Sequence, residues 1–164
     1  MDNQQIGLML ALKQLGMDLK IESFNDRLVL QKSVMLIQKA GVNLGYSYNW
    51  HLRGPYSPGL TSDAFAITPR TSEFQQELPR WNLDQPSAEK LKKLKPLFEI
   101  PEGEDAVPYL ELRASILYVL DHEKIDAGNA AAIHASLVRR GKPFMMAQVE
   151  SAIGQLREFE LLGN

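Results

Sequence analysis

The chain has 164 residues, of which 45% are apolar and 23% charged, with a formal net charge of −2 and no cysteine. This length predicts one domain whose core is large enough to fold without metal or disulfide support. The lack of cysteine excludes disulfides, thiolate nucleophiles and the usual structural zinc sites. The small negative charge argues against a strong attraction of the whole surface to phosphate backbones.

The sequence carries no pattern typical of a targeting or membrane segment. Residues 6–12 are apolar, but Asp2 precedes them and Lys13 ends the run, which is unlike a signal peptide. No run approaches the roughly 20 apolar residues that a membrane span requires. We therefore expect a cytoplasmic protein without a membrane partner.

Two helices are predicted at the start of the chain. Apolar residues in 6–15 keep a helical spacing and stop at Gly16, which suits a helix C-terminus. The second helix is predicted to begin near Asn25, with Asn25 or Asp26 as its N-cap. Its core-facing stripe consists of Leu30, Val34 and Ile37, with Gly41 just past its end.

Residues 45–53 alternate in character, which predicts a β-strand with one buried and one exposed face. The expected buried face carries Tyr46, Tyr48, Trp50 and Leu52. The expected exposed face carries Ser47, Asn49, His51 and Arg53. Gly54 and Pro55 are predicted to break the strand. Ser57 is then predicted to cap a short helix that begins at Pro58 and points Leu60, Ala64 and Ile67 at the core.

The second half of the chain is predicted to be helical. Residues 68–86 are rich in Pro, Thr and Gln, which predicts an irregular connection with room for one helical turn around Phe74. Ser87 is predicted to cap the next helix, whose stripe is Leu91, Leu94 and Leu97. Further helices are expected at 109–120, 126–140 and 143–161. The buried side of the last one is expected to carry Met145, Val149, Ala152, Leu156 and Phe159.

These elements together predict a mainly α (α+β) fold. We expect a compact helical bundle with a small β-hairpin or short β element, winged-helix-like in the N-terminal half. The chain is expected to form a single domain over 1–164. Within it, 1–67 would hold the N-terminal helices and the β element, 68–86 the irregular connection and 87–164 a helical subdomain.

Several stretches of the sequence together resemble a known family. They are Arg27-Leu28-x-Leu30-Gln31-Lys32, Gly45-Tyr46, Arg53-Gly54-Pro55-Tyr56-Ser57-Pro58-x-Leu60 with Asp63, Leu110-Glu111-Leu112-x-Ala114-Ser115-Ile116-x-Tyr118, and the closing segment 142–162. This pattern resembles the small YwgA-like proteins of bacteria and archaea, which look like distant relatives of the Panacea domain of antitoxins and of a phage-related proteolytic adaptor. The resemblance covers about residues 24–162. It implies a helical domain with a small β element and a non-enzymatic, partner-binding role.

The first candidate binding site is a loop with one neighbouring side chain: Arg53, Gly54, Pro55, Tyr56, Ser57 and His51. A rigid Gly-Pro turn would present a guanidinium, a phenol and a hydroxyl, and Arg53 can bind a carboxylate or phosphate at two points. The free amides of a helix that starts at Ser57 also favour an anion. The same residues are equally explained as a turn in which Ser57 only caps the helix and Tyr56 packs inward.

The second candidate group is Arg27, Gln31 and Lys32, at the start of the second helix. These side chains can flank the loop and extend its positive surface. The simpler interpretation is that they are solvated or form ion pairs with neighbours such as Glu22 or Asp26.

The remaining chemistry-bearing residues form no metal or nucleic-acid motif. The histidines His51, His122 and His134 lack a metal-binding helical spacing, so we expect no metal and no cofactor. The basic concentrations are the lysines of 90–95 and a cluster of Arg139, Arg140 and Lys142. Either can touch nucleic acid, but a solvated helix face explains both more simply.

Catalytic motifs are also missing from the sequence. It contains no Gly-x-Ser-x-Gly elbow, no phosphate-binding glycine-rich loop and no His-Glu-x-x-His. A hydrolase built on Ser57 with His51 as base is conceivable, but a Gly-Pro-x-Ser turn is not the strained elbow that acyl transfer uses. We therefore expect no enzymatic activity.

The sequence thus favours a non-enzymatic protein-interaction module. We expect a small cytoplasmic regulator, antitoxin-like or adaptor-like, that acts in a toxin–antitoxin or phage-defence system and binds a toxin or defence component. The alternative is a winged-helix-like DNA-binding transcriptional regulator, which helices beside a short β element permit and the near-neutral charge disfavours. The oligomeric state is left open.

Overall fold

The computed structural model describes residues 1–163, and most of them are helical. Within this range the α-helices are α1 (Asn3–Gln14), α2 (Phe24–Lys39), α3 (Pro58–Ile67), α4 (Thr71–Glu77), α5 (Gln85–Leu94), α6 (Ala106–Glu123), α7 (Ala130–Arg139) and α8 (Met146–Glu158). Two short strands, β1 (Asn49–His51) and β2 (Gly54–Tyr56), pair antiparallel. The predicted helical fold with a small β-hairpin is confirmed, while its winged-helix-like character stays a prediction.

Helix α6 lies at the centre of the core and packs against α2, α7, α8 and β2. Its residues from Tyr109 to Val119 are all buried, because the helix has neighbours on every side. The buried run includes two charged side chains, Glu111 and Arg113. Among the helices of residues 1–163, none is long and apolar enough to cross a membrane.

The helix starts differ from the predicted ones by a few residues. Helix α2 begins at a capping box in which Ser23 Oγ accepts from the Asp26 amide and the Asp26 carboxylate accepts from the Ser23 amide. Helix α5 is capped by Asp84, not by Ser87, whose amide donates to Asp84 Oδ1 at 2.8 Å. Helix α7, predicted to start at Asp126, starts at Ala130 and is capped by Asn129. In each case a side-chain oxygen satisfies a free amide in the first turn.

The predicted strand over 45–53 is wrong in both extent and ending. Within 45–53 only the residues of β1 form a strand. Gly54 and Pro55 were predicted to end the strand, but they belong to β2, which pairs with β1. The register pairs Trp50 with Pro55, and Leu52 lies in the turn with 90% of its surface exposed. Proline is tolerated because this two-stranded hairpin has open edges that require no further donor. The alternating residues therefore lie in a loop and a tight hairpin, and not in one long strand.

The segment 68–86, predicted as an irregular connection, is mostly helical; the helical turn expected around Phe74 is present as part of α4. A 3-10 turn (Thr68–Arg70), α4 and a second 3-10 turn (Leu78–Arg80) follow α3 directly. Pro69 and Pro79 occupy the first turns of the two 3-10 segments, where a missing N–H costs nothing. Phe74 and Leu78, one helical turn apart, are both buried and anchor the segment to the core.

The last helix is shorter than predicted, since α8 begins at Met146. Val149, Ala152 and Leu156 form its buried face as predicted. Met145 was expected on that face but occupies the N-cap position and is 65% exposed. Pro143 lies in the α7–α8 loop, outside the helix.

Candidate functional site

The structure places the predicted loop residues at two depths. His51, Leu52 and Arg53 are exposed, whereas Gly54, Pro55 and Ser57 are buried and Tyr56 is half-buried. Ser57 is only 1% exposed, and its hydroxyl accepts from the Leu60 amide at 3.4 Å as the cap of α3. The prediction that the loop presents a hydroxyl is therefore wrong, because Ser57 caps a helix at a buried position.

Lys32 lies directly beneath the hairpin and is fully buried. Its Nζ donates to the carbonyl oxygens of Arg53 at 2.5 Å and Pro55 at 2.7 Å. Burial lowers the pKa of Lys32 to about 8, with Glu111 raising it in part and Lys142 lowering it further. The amine thus ties both sides of the hairpin turn to α2.

Gly54 allows the hairpin to approach α6 closely. Its φ of +82° lies in the left-handed region, where a side chain is strained. A Cβ at this position would also lie 3.2 Å from Ser115 Oγ, 3.4 Å from Glu111 Oε1 and 3.5 Å from Lys32 Nζ. The backbone conformation therefore favours glycine here, and a side chain would also need its close neighbours to shift.

Gln31 holds the end of the hairpin through its side-chain amide. Its Oε1 accepts from the Ser57 amide at 2.8 Å, and its Nε2 donates to the Ser57 carbonyl and to Thr61 Oγ1, each at 2.9 Å. The Tyr56 hydroxyl shares a hydrogen bond with Thr61 Oγ1 at 2.7 Å, which fixes the phenol against α3. The prediction that Gln31 and Lys32 extend a positive surface is wrong, since both are buried and support the hairpin from below.

Three exposed residues, Phe24, Leu52 and Arg53, form a mixed apolar and cationic surface around the turn together with the half-buried Arg27. The guanidinium carbon of Arg53 lies 5.5 Å from the ring centroid of Phe24, and that of Arg27 lies 5.9 Å from the same ring. Phe24 is 52% exposed. Neither arginine forms an ion pair within residues 1–163. We call Phe24, Arg27, Leu52 and Arg53 the hairpin-tip surface.

Lys142, in the α7–α8 loop, holds the turn from another side. Its Nζ donates to the Leu52 carbonyl at 3.0 Å and lies 2.8 Å from Glu111 Oε1. Both side chains of this ion pair are largely buried. Sequence reasoning missed Glu111, although a carboxylate inside the apolar run 109–120 is itself a signal of a buried partner.

Aromatic residues attach β1 to α6 and α7. The rings of Trp50 and Tyr118 lie 5.5 Å apart, and the Arg140 guanidinium carbon is 4.9 Å from the first centroid and 5.4 Å from the second. Arg140 Nε also donates to Glu123 at 3.0 Å, and Arg139 donates to the same carboxylate at 3.2 Å. These bonds and one from the Ser136 hydroxyl lower the pKa of Glu123, the serine contributing most. The basic cluster predicted at 139–142 is thus compensated by carboxylates.

The histidines lie in three different settings. The His51 ring contacts the Tyr56 ring at a centroid distance of 4.9 Å, and the His122 ring stacks on Tyr118 at 3.8 Å. His134 is half-buried on α7. Across residues 1–163, no group of three or more His, Asp or Glu side chains is arranged to hold a metal ion.

Comparison of this chain with known proteins identifies no related protein. No protein-family model, no curated protein and no solved structure matches this chain. The resemblance to YwgA-like and Panacea-domain proteins therefore stays a prediction, and what the site can do is inferred from the geometry of this chain.

Proposed function

We propose that this chain is a non-enzymatic protein-interaction module whose hairpin-tip surface binds a partner protein. The observation that carries the proposal is an exposed leucine in a turn that two largely buried lysines hold from different sides. Leu52 is exposed, while Lys32 and Lys142 bond the carbonyls of the turn itself. A loop held in one conformation loses little entropy on binding, so its contacts contribute more fully to affinity.

The chemistry of the hairpin-tip surface selects the kind of partner. Arg53 is exposed and lies over the ring of Phe24 without an ion pair in the described chain, so its guanidinium is free to bind a carboxylate. Arg27 is half-buried and donates from Nη1 to the Ile21 carbonyl at 2.8 Å, which holds its guanidinium beside the same ring. Leu52 offers an apolar contact beside them. We infer that the partner presents an acidic side chain next to an apolar pocket, since arginine and buried apolar anchors dominate interface energies.

The biological role that we propose is that of a small cytoplasmic regulator, antitoxin-like or adaptor-like. Its partner would be a toxin or a phage-defence component. The sequence resemblance to YwgA-like and Panacea-domain proteins supports this role. Burial of Ser57 supports the non-enzymatic part of the proposal, because a buried cap is poorly placed to attack a substrate.

Affinity capture from native lysate with matched variants tests the proposal. The wild-type chain and the control Arg157→Glu, which reverses an exposed charge on α8, are expected to recover the same stoichiometric protein. The double variant with Leu52→Ser and Arg53→Glu is expected to lose it. Equal recovery by all three proteins would exclude the hairpin-tip surface as the contact.

A mobility-shift assay tests the alternative function directly. A DNA-binding regulator would shift a specific DNA with an affinity that falls steeply with salt. Because Arg139 and Arg140 share Glu123 and Lys142 pairs with Glu111, we expect no such shift at physiological salt. Specific, salt-dependent DNA binding would replace our proposal with the transcriptional-regulator alternative.

A further inference from the structure

A second concave site lies away from the hairpin-tip residues, between the start of α6 and the start of α8. The cleft has a volume of about 490 Å³, within the range of roughly 300–1,000 Å³ that is typical of small-molecule sites. Its apolar walls include Pro108, Leu112 and Phe144. Glu104 and Asp105 lie on its lining from the segment before α6.

The cleft is also lined by Arg113, a buried cation without a counter-ion. Arg113 is 7% exposed, and burial lowers the pKa of its guanidinium, with Tyr109 and Glu104 raising it in part. No carboxylate forms an ion pair with it in residues 1–163, in contrast to Arg139 and Arg140. A buried charge is costly unless it is paired or hydrogen-bonded. Tyr109 and Glu104 offset part of this cost, but no carboxylate of the described residues lies within ion-pair distance, so a carboxylate ligand can supply the missing partner.

Neighbouring side chains fix the orientation of this guanidinium. Gln155 Oε1 accepts from Arg113 Nε at 2.5 Å and from the Tyr109 hydroxyl at 2.8 Å. Arg113 Nη1 donates to the Tyr109 carbonyl at 3.0 Å, and the guanidinium carbon lies 3.5 Å from the centroid of the Tyr109 ring. These contacts leave Nη2 without a hydrogen-bond partner in the described residues. Since Arg113 lines the cleft, Nη2 is the guanidinium nitrogen left to donate to a ligand there.

We propose that this cleft binds a small monocarboxylate with an apolar body. The carboxylate accepts from Arg113, and the apolar body packs between Pro108, Leu112 and Phe144. A single negative charge fits better than a doubly charged phosphate, because Glu104 and Asp105 on the same lining repel anions in proportion to their charge. This inference does not rest on the function proposed for the hairpin-tip surface.

Benzoate is a suitable probe, and benzamide is its neutral counterpart of nearly equal shape. We expect benzoate to cause saturable changes in the ¹H–¹⁵N spectrum, confined to residues 103–113 and 144–151. Benzamide and inorganic phosphate are each expected to bind at least about tenfold more weakly, since neither is a monovalent carboxylate. Equal binding of benzoate and benzamide, tighter binding of phosphate, or changes located elsewhere would overturn the proposal.

Two variants and one control test whether benzoate binds in the cleft. Arg113→Gln removes the charge, and Ser151→Phe fills the cleft from an exposed position on α8, so it tests the site even if Arg113→Gln fails to fold. Each is expected to weaken benzoate binding at least about tenfold. Arg157→Gln removes an exposed charge from the same helix and is expected to leave binding unchanged. Unchanged affinity in the folded Ser151→Phe variant would contradict the assignment.

Discussion

At the scale of single residues, Lys32 is the side chain on which the hairpin depends most. Lys32→Met replaces the aliphatic stem with one of similar length but leaves the carbonyls of Arg53 and Pro55 without their donor. Because breaking a buried charged contact from one side is expensive, we expect a loss of about 3 kcal/mol in the free energy of unfolding. Urea denaturation measures it. Lys93→Met, at an exposed position on α5, should change stability by less than about 0.5 kcal/mol, and equal losses would contradict this role.

The buried amine also predicts a pH dependence of stability. The pKa of Lys32 is lowered from 10.5 to about 8, so between these values the unfolded chain binds more protons at this site than the folded chain. The contribution of Lys32 to the free energy of unfolding therefore rises with pH from about 8 to 10.5. We expect the stability difference between wild type and Lys32→Met to increase over this range. A difference that is flat or that falls with pH would contradict the lowered pKa.

Replacing glycine by alanine should lower the free energy of unfolding at one position and raise it at another. Gly54→Ala places a Cβ in the left-handed region and 3.2 Å from Ser115 Oγ, so we expect a loss of about 2 kcal/mol in unfolding free energy. Gly154→Ala lies within α8 with nothing within 4 Å of the added Cβ. Alanine is the better helix former, so a gain of about 0.5–1 kcal/mol is expected there. Thermal and urea unfolding compare the two, and a stable Gly54→Ala variant would show that the close approach is unnecessary.

At the scale of elements, Arg140 connects α7 to the hairpin through two aromatic rings. Arg140→Gln removes the cation from Trp50 and Tyr118 as well as the bond to Glu123. We expect a loss of about 1–2 kcal/mol in unfolding free energy. Arg139→Gln breaks a bond to the same carboxylate but contacts neither ring, and should cost less than about 0.5 kcal/mol. Similar losses in the two variants would show that the ring contacts add nothing.

The elements also show which features a sequence can predict. The stripe of Leu30, Val34 and Ile37 and the cap at Ser57 depend on neighbours within one or two helical turns, and both appear as predicted. The extent and register of the hairpin strands do not, because they depend on contacts with Lys32 and Glu111, which are distant in sequence. Proline content misled the prediction for 68–86, since Pro69, Pro79 and Pro86 all occupy first turns, where proline is compatible with helical structure.

For the candidate site, the sequence predicted which residues lie together but not their depth. Arg27, Gln31 and Lys32 do flank the loop, yet two of the three are buried beneath it. Burial of a lysine is hard to foresee, because it depends on two carbonyls that the folded hairpin turns toward α2. Leu52 was predicted to be buried, but it is exposed. Its position in the turn follows from the register of the two strands, which the sequence alone does not show.

At the scale of the whole molecule, polar side chains from distant parts of the sequence form hydrogen bonds to the hairpin. Helix α2 contributes Gln31 and Lys32, and the α7–α8 loop contributes Lys142, which Glu111 of α6 holds through an ion pair. This support leaves Leu52 and Arg53 exposed on a rigid turn. The cleft beside Arg113 is supported by a separate set of contacts, so the two proposed sites can be tested independently.

The affinity of the purified chain for the partner protein that it captures tests the central claim most directly. Arg53→Glu reverses the charge at the centre of the hairpin-tip surface, and we expect the equilibrium dissociation constant to rise by at least about tenfold, or about 1.4 kcal/mol. Arg157→Glu should stay within about twofold of wild type at the same salt concentration. If Arg53→Glu binds as tightly as wild type while both remain folded, the hairpin-tip surface is not the binding site.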